Sequence, residues 1–218
     1  MIFEPLEHRS DDWYKKRLGM PTASQFHRIV TLGGKAEIPG RSKMAERYIG
    51  DLVAERIFKR SMQKDISYLE AVKWGVEHED KAAALLEEHI GPLQPGGFMT
   101  DRPQKPRYGA SPDRILAKGN RREVCEIKCP FEIPRHVKNL LFGADTEHWP
   151  QLQGQLLISG YECVHFYSYH PDCPPYYERV PRDEVFINNL RDLLDKFCAE
   201  LDEAEMKARR MGGWKGVA

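Results

Sequence analysis

The stretch "EVCEIKC", residues 123–129, limits the possible folds of this chain more than any other. "KGNRR" precedes it as a turn and Pro130 stops it, so it reads as a strand. Residues two apart on a strand share a face. Glu126 and Lys128 therefore point one way, and Cys125, Ile127 and Cys129 point the other. A buried strand with an acid and a base on one face is costly unless those charges are paired. The preceding "YGASPDRILA" reads as a strand or a strand end. An antiparallel partner beginning at Asp113 brings a second carboxylate beside Glu126.

Around this hairpin the patterning is regular. A helix is expected from Ser10, with Asp11 and Asp12 in its first turn, and another from Thr22, where Thr22 and Gln25 have capping-box spacing. Residues 33–42 read as a loop, 43–59 as a helix with Met44, Tyr48 and Leu52 on one side, and 68–89 as a longer helix closed by "GPLQPGG". "GFMTD" and "ECVHFYSYH" read as strands and 147–159 as a helix. From Asp183 to Arg210 one amphipathic helix carries Leu190, Leu194, Phe197 and Leu201 on its apolar stripe. Helices first, strands in the middle and a helix between strands predict an α/β fold. The expectation is one domain over residues 1–210, with a central mixed β-sheet flanked by helices and a flexible tail at 211–218. At 218 residues, 41% hydrophobic and 30% charged, the chain is long and apolar enough for such a core.

Several function classes drop out. No apolar run approaches the roughly 18 residues that span a bilayer, so no membrane partner is expected. "MIFEPLEHRS" lacks the basic and apolar regions of a signal peptide, which predicts a cytoplasmic protein. Five cysteines is an odd number and none form a CxxC pair, so free thiols are expected. The eight histidines show no zinc spacing. Net charge is zero, which removes a general attraction to nucleic acid. Residues 101–140, however, hold ten Lys and Arg against five Asp and Glu, whereas 183–206 hold two against eight. The total therefore hides a basic region and an acidic one.

The paired acids carry the chemistry. Two carboxylates at one spot resist ionising together, and a divalent cation removes the repulsion. All-oxygen ligation suits Mg²⁺. A lysine beside it can orient or help deprotonate a water. Phosphodiester hydrolysis needs a metal on the phosphate, an activated water and positive charge where charge develops. Pro-Asp, twelve residues, then Glu-x-Lys is the PD-(D/E)xK nuclease pattern of restriction-endonuclease-like cores. Both halves are common by chance, and a surface hairpin with a Glu–Lys pair would give the same letters. Further motifs decide between the two accounts.

Those motifs are "WYKKRLGMPTAS", "WGVEHE", "SPD", "EIKCPF" and "QLQ", in that order from residue 13 to about 155. Together they resemble the phage lambda exonuclease family of viral recombination nucleases. The resemblance implies an Mg²⁺-dependent exonuclease, with Mn²⁺ as a substitute, that digests one strand of linear duplex DNA from its 5′ end. It implies Asp113, Glu126 and the Ile127 carbonyl as metal ligands, Lys128 as the catalytic lysine, and Glu79 as an acid near the metal. Arg17, Ser24, Ser111 and Gln153 match a 5′-phosphate pocket, and Trp13 an aromatic near the DNA end. A ring of three subunits and a single-strand annealing partner are also implied. Two other accounts share much of this sequence: an endonucleolytic or repair PD-(D/E)xK enzyme, and a non-catalytic DNA-end-binding protein. Cleavage of a closed circle marks the first. Retention of Asp113, Glu126 and Lys128 speaks against the second.

Overall fold

In the computed structural model, which describes residues 2–30, 42–62, 68–119, 121–144 and 147–215, the Glu126 strand is the middle of five. The chain runs β1 (Ile2–Glu4), α1 (Asp11–Arg17), a 3₁₀ helix (Ala23–Arg28), α2 (Lys43–Phe58) and α3 (Glu70–Ile90). It continues through β2 (Leu93–Pro95), β3 (Phe98–Thr100), β4 (Gly109–Ala110), β5 (Arg114–Lys118) and β6 (Arg121–Lys128). Then come α4 (Ile133–Phe142), α5 (Trp149–Ser159), β7 (Cys163–Ser168), β8 (Tyr176–Pro181) and α6 (Glu184–Met211). The large sheet has the order β2-β5-β6-β7-β8 and is antiparallel except for the β6–β7 pair, so it is mixed, as expected. A small antiparallel sheet, β1-β3-β4, stands beside it.

Side-chain alternation along β6 divides the core. Val124 joins Phe166, Leu152, Leu156, Leu190 and Leu194 in the larger cluster, which α2, α5 and α6 cover. Cys125 and Ile127 face the other way, onto Ala82, Ala83 and Leu86 of α3. The sheet is thus sandwiched, and Glu126 and Lys128 lie on the side that α5 covers.

Three expectations need correction. The helix foreseen from Thr22 is a six-residue 3₁₀ helix, and the Thr22 side chain makes no capping bond. Its hydroxyl accepts from Arg17 at 3.2 Å and its N–H donates to the Tyr48 hydroxyl at 3.2 Å. "YGASPDRILA" is not one strand. Pro112 cannot donate to a ladder, and the chain passes at Ser111–Asp113 from β4 in the small sheet to β5 in the large one. Finally β1, α4, β2 and β8 were not foreseen. Pro134 sits in the first turn of α4, and β2 and β8 are the two edge strands, where prolines such as Pro95 and Pro181 are tolerated. Most of the expected 33–42 loop and residues 216–218 of the expected tail lie outside the described residues. Trp214, nearer in the tail, donates to Ala208 O at 3.0 Å and packs edge-on against Phe58.

Helix α5 rests on the 3₁₀ helix at Gly154, where an added Cβ would lie 2.5 Å from Phe26 Cδ2. Gly154→Ala is expected to lose about 1–3 kcal/mol of stability through overpacking. Urea unfolding checks this, and a midpoint equal to that of the unmodified protein would show that the contact is not tight.

Candidate active site

The register of β5 on β6 pairs Arg114 with Cys125. Asp113, one step earlier, therefore stands opposite Glu126. Its Oδ2 accepts the Ile127 N–H at 2.7 Å. From the other side Gly96 donates its N–H to Asp113 O at 3.2 Å. A Cβ at Gly96 would fall 1.6 Å from Pro112 O, so only glycine lets the two backbones approach this closely. The Ser111–Asp113 segment is thus clamped between β6 and the β2–β3 junction.

Glu126 is 2% exposed, yet both its oxygens are satisfied. Gln151 Nε2 donates to Oε1 and Gln155 Nε2 to Oε2, each at 2.6 Å. Lys128 Nζ also donates to Oε1, and it reaches Gln151 Oε1 at 3.4 Å. Residues four apart on a helix share a face, so Gln151 and Gln155 meet β6 together. Gln153 is on the opposite side of α5. It is fully buried, donates Nε2 to Pro181 O at 3.0 Å and accepts the Asp183 N–H at 2.9 Å. The structure does not bring Gln153 to the other site residues; it ties α5 to the start of α6.

Glu79, on α3, approaches from the other side of the sheet edge. Arg9 pairs with its Oε2 at 3.0 Å and Arg114 with its Oε1 at 3.3 Å. Asp113 is held well above the usual carboxylate range, first by burial and then by the charges of Glu126 and Glu79. Burial works against the charge on Lys128, but Glu126 and Asp113 outweigh it and hold its pKa above the ordinary value. Three crowded carboxylates, one of them reluctant to ionise, form a hard oxygen donor set. That set fits a divalent cation such as Mg²⁺ or Mn²⁺. His8, in the loop before α1, was missed because no motif marks it. Its ring and the carboxylates of Glu79 and Asp113 place their ligand atoms within 4.8 Å of one another. Burial lowers the pKa of His8.

A second group of residues lies beside the first. The Arg17 guanidinium stacks on Trp13, 4.2 Å from the ring centroid. Its Nη2 points at Thr22 Oγ1 (3.2 Å) and Ser24 Oγ (3.4 Å). Among the described residues no carboxylate pairs with it. The adjoining cavity of about 190 Å³ is lined by Arg9, Trp13, Arg17 and Thr22, by Arg28 with its partner Asp51, and by Glu55. Trp13 Nε1 donates to Ser111 Oγ at 2.6 Å, which joins this cavity to the carboxylates. Ser111 is fully engaged: its hydroxyl also donates to Gly97 O at 2.9 Å and meets His8 Nε2 at 3.0 Å.

The raised pKa of Asp113 has a definite sign. Below the unfolded value, roughly 3.9, both states hold the proton and the group contributes nothing. As pH rises towards the folded value, the unfolded chain releases its proton first and stability falls. With a chelator present, Asp113→Asn is therefore expected to raise the melting temperature at neutral pH, with the gain fading as pH approaches 4. Thermal unfolding across that range checks it. A variant no more stable than the parent at neutral pH would mean that the carboxylate is not frustrated.

The sequence matches the family model of the YqaJ-like viral recombinase domain over residues 12–162. No match was found among curated proteins. Among solved structures, an alkaline exonuclease from Laribacter hongkongensis, LHK-Exo, superposes with a TM-score of 0.79 at 25% identity, covering 93% of this chain and 97% of that one. The same enzyme in complex with dAMP gives 0.78 at 24% identity with the same coverage. A phage-related exonuclease from Haemophilus somnus 129PT gives 0.64 at 14% identity, covering 88% and 96%, and supports the fold. The family match spans well over half of the 218 residues and includes Glu79, Asp113, Glu126 and Lys128, and on these grounds the chain belongs to the YqaJ-like viral recombinase family.

Proposed function

We propose that this protein is a divalent-cation-dependent 5′–3′ exonuclease. It digests one strand of linear duplex DNA to mononucleotides and leaves a 3′ single-stranded overhang for recombination by strand annealing. The observation that carries this reading is the convergence of Asp113, Glu126 and Lys128 at the seam of two sheets, next to a cavity holding an arginine that has no acidic partner among the described residues.

Asp113 and Glu126, with the Ile127 carbonyl, would hold the cation. When bound, it supplies Lewis-acid polarisation of the scissile phosphate and lowers the pKa of a water. Gln151 and Gln155 fix the orientation of Glu126 by donating to both of its oxygens. Lys128, kept protonated by its acidic neighbours, orients the attacking water and offsets the charge gathering on the phosphate, rather than acting as the base. Arg17 and Ser24 receive the terminal 5′-phosphate. Trp13 forms the floor under Arg17, and Ser111 carries that floor to the cleavage centre. A ring of three chains around the duplex, as family resemblance suggests, would keep a chain of zero net charge on DNA. Light scattering that returns one chain per particle would remove the ring.

Linear and covalently closed duplexes, end-labelled and incubated with Mg²⁺ or with a chelator, test the activity. Nucleotide release from linear 5′ ends alone, abolished by chelator and by Lys128→Ala, is the expected result. Gln155→Ala should slow release about ten- to a hundredfold, as expected when the support behind a ligand is removed. Cleavage of closed circles would make the protein an endonuclease instead.

The Arg17 cavity predicts a preference for phosphorylated ends. A charge-assisted hydrogen bond contributes roughly 1.5–3 kcal/mol. Arg17→Ala should therefore slow digestion of 5′-phosphate ends by about ten- to a hundredfold, with little change at 5′-hydroxyl ends. Equal rates on the two ends in the unmodified protein, or release starting at the 3′ end, would rule the pocket out.

A further inference from the structure

On the α3 side of the large sheet, the face turned away from Glu126, three donors of different chemistry meet. Strands β6 and β7 run in parallel register, Val124 with Val164 and Cys125 with His165. The period of two then puts Glu123, Cys163 and His165 on one face. All three are buried, none more than 3% exposed. The Cys163 thiol donates to Glu123 Oε1 at 2.9 Å, His165 Nε2 meets Glu123 Oε2 at 2.9 Å, and Sγ and Nε2 stand 3.9 Å apart. One ligand atom from each residue lies within 4.8 Å of the other two. Around a tetrahedral zinc, with Zn–S about 2.3 Å and Zn–N or Zn–O about 2.0 Å, ligand atoms stand about 3.3–3.6 Å apart. The spacings found here fall on both sides of that range.

The surroundings suit a ligand set. His165 Nδ1 meets the Tyr177 hydroxyl at 2.8 Å, which fixes the ring and turns Nε2 towards Glu123 and Cys163. Ligating histidines characteristically have such a bond on the other ring nitrogen. All three side chains come from the paired strands β6 and β7, so the sheet ladder already holds them in place. Arg179 caps the group: its Nη2 pairs with Glu123 Oε1 at 2.9 Å, while its side chain is 46% exposed. A half-exposed guanidinium can swing into solvent and leave room for an ion. A thiol is a weak donor, so as a proton donor Cys163 adds little to a buried carboxylate, whereas as a thiolate it is a strong zinc ligand. Sequence spacing hides the group, because Glu123 lies 40 residues before Cys163.

We propose that Glu123, Cys163 and His165 form a zinc-type site, separate from the candidate active site, that pins β6 to β7 when a borderline-soft divalent ion is bound. Thiolate and imidazole favour Zn²⁺, whereas Mg²⁺ takes oxygen ligands. On binding, the Cys163 thiol gives its proton to solvent and Arg179 releases Glu123. Three protein ligands leave the fourth tetrahedral place to a water. The proposal does not depend on the nuclease reading.

The test uses the full chain, stripped with chelator and kept reduced, with Co²⁺ as the probe and excess Mg²⁺ present to occupy the oxygen ligands around Asp113. One Co²⁺ per chain should bind with a thiolate-to-metal charge-transfer band, and Zn²⁺ should displace it and raise the melting temperature. Cys163→Ser should lose the band, and His165→Gln should weaken binding at least about tenfold. Arg179→Met changes a half-exposed side chain rather than a buried one. It should bind Co²⁺ more tightly than the parent, because no guanidinium competes for Glu123. Absence of the charge-transfer band in the unmodified protein would overturn the proposal. A band that survives Cys163→Ser would do the same, by assigning the sulfur to another cysteine. So would an Arg179→Met affinity at or below that of the parent. None of these results bears on the nuclease reading, which the end-labelled duplexes test.

Discussion

The carboxylate of Glu126 sits on the middle strand of the large sheet, 2% exposed, where an isolated charge could not stay. Gln151, Gln155 and Lys128 make it tolerable, and in doing so they fix much else. The two glutamines set the rotation of α5 about its axis. That rotation presses Gly154 onto the 3₁₀ helix and places Gln153 against the start of α6. The 3₁₀ helix in turn holds Ser24 at the tip of Arg17. Hydrogen bonds to one buried acid thus transmit the position of β6 to the Arg17 cavity, although no strand runs between them.

The frame of the fold was legible because most of its elements follow simple periods. The helices α1, α2, α3, α5 and α6 and the strand β6 each show a cap or an alternation. Apart from the three-residue β1, what stayed hidden has prolines in common: Pro134 in α4, Pro95 in β2 and Pro181 in β8. At a helix start or a sheet edge a proline costs little, whereas in a sequence it reads as a break. The Ser111–Asp113 crossing was invisible for a different reason. Whether two short strands join one sheet or two depends on which distant partners they find, here Thr100 for Gly109 and Pro95 for Arg114.

At the site itself, the spacing of Asp113, Glu126 and Lys128 was readable because a strand's period of two leaves little freedom. The glutamines were harder. Three of them alternate in "QLQGQ", and assigning one to a role requires the helical period, under which Gln151 and Gln155 share a face and Gln153 does not. His8 had no such rule. It reaches the acids through an irregular loop and an unusual backbone angle at Arg9, neither of which is encoded in a short pattern.

The crossing between sheets also bears on product length. Ser111 and Asp113 are two residues apart on one backbone segment, clamped by Gly96 on one side and Ile127 on the other. Ser111 carries Trp13, on which Arg17 lies. Under the proposed function, the group that grips the strand's end is tied by one ring stack and one hydrogen bond to the short clamped segment that carries the group that cuts it. The spacing from grip to blade is then a built-in ruler, set by how Arg17 lies on Trp13 and how Trp13 is held by Ser111. A nuclease so gauged cuts fragments of uniform length, whatever the base sequence passing through it.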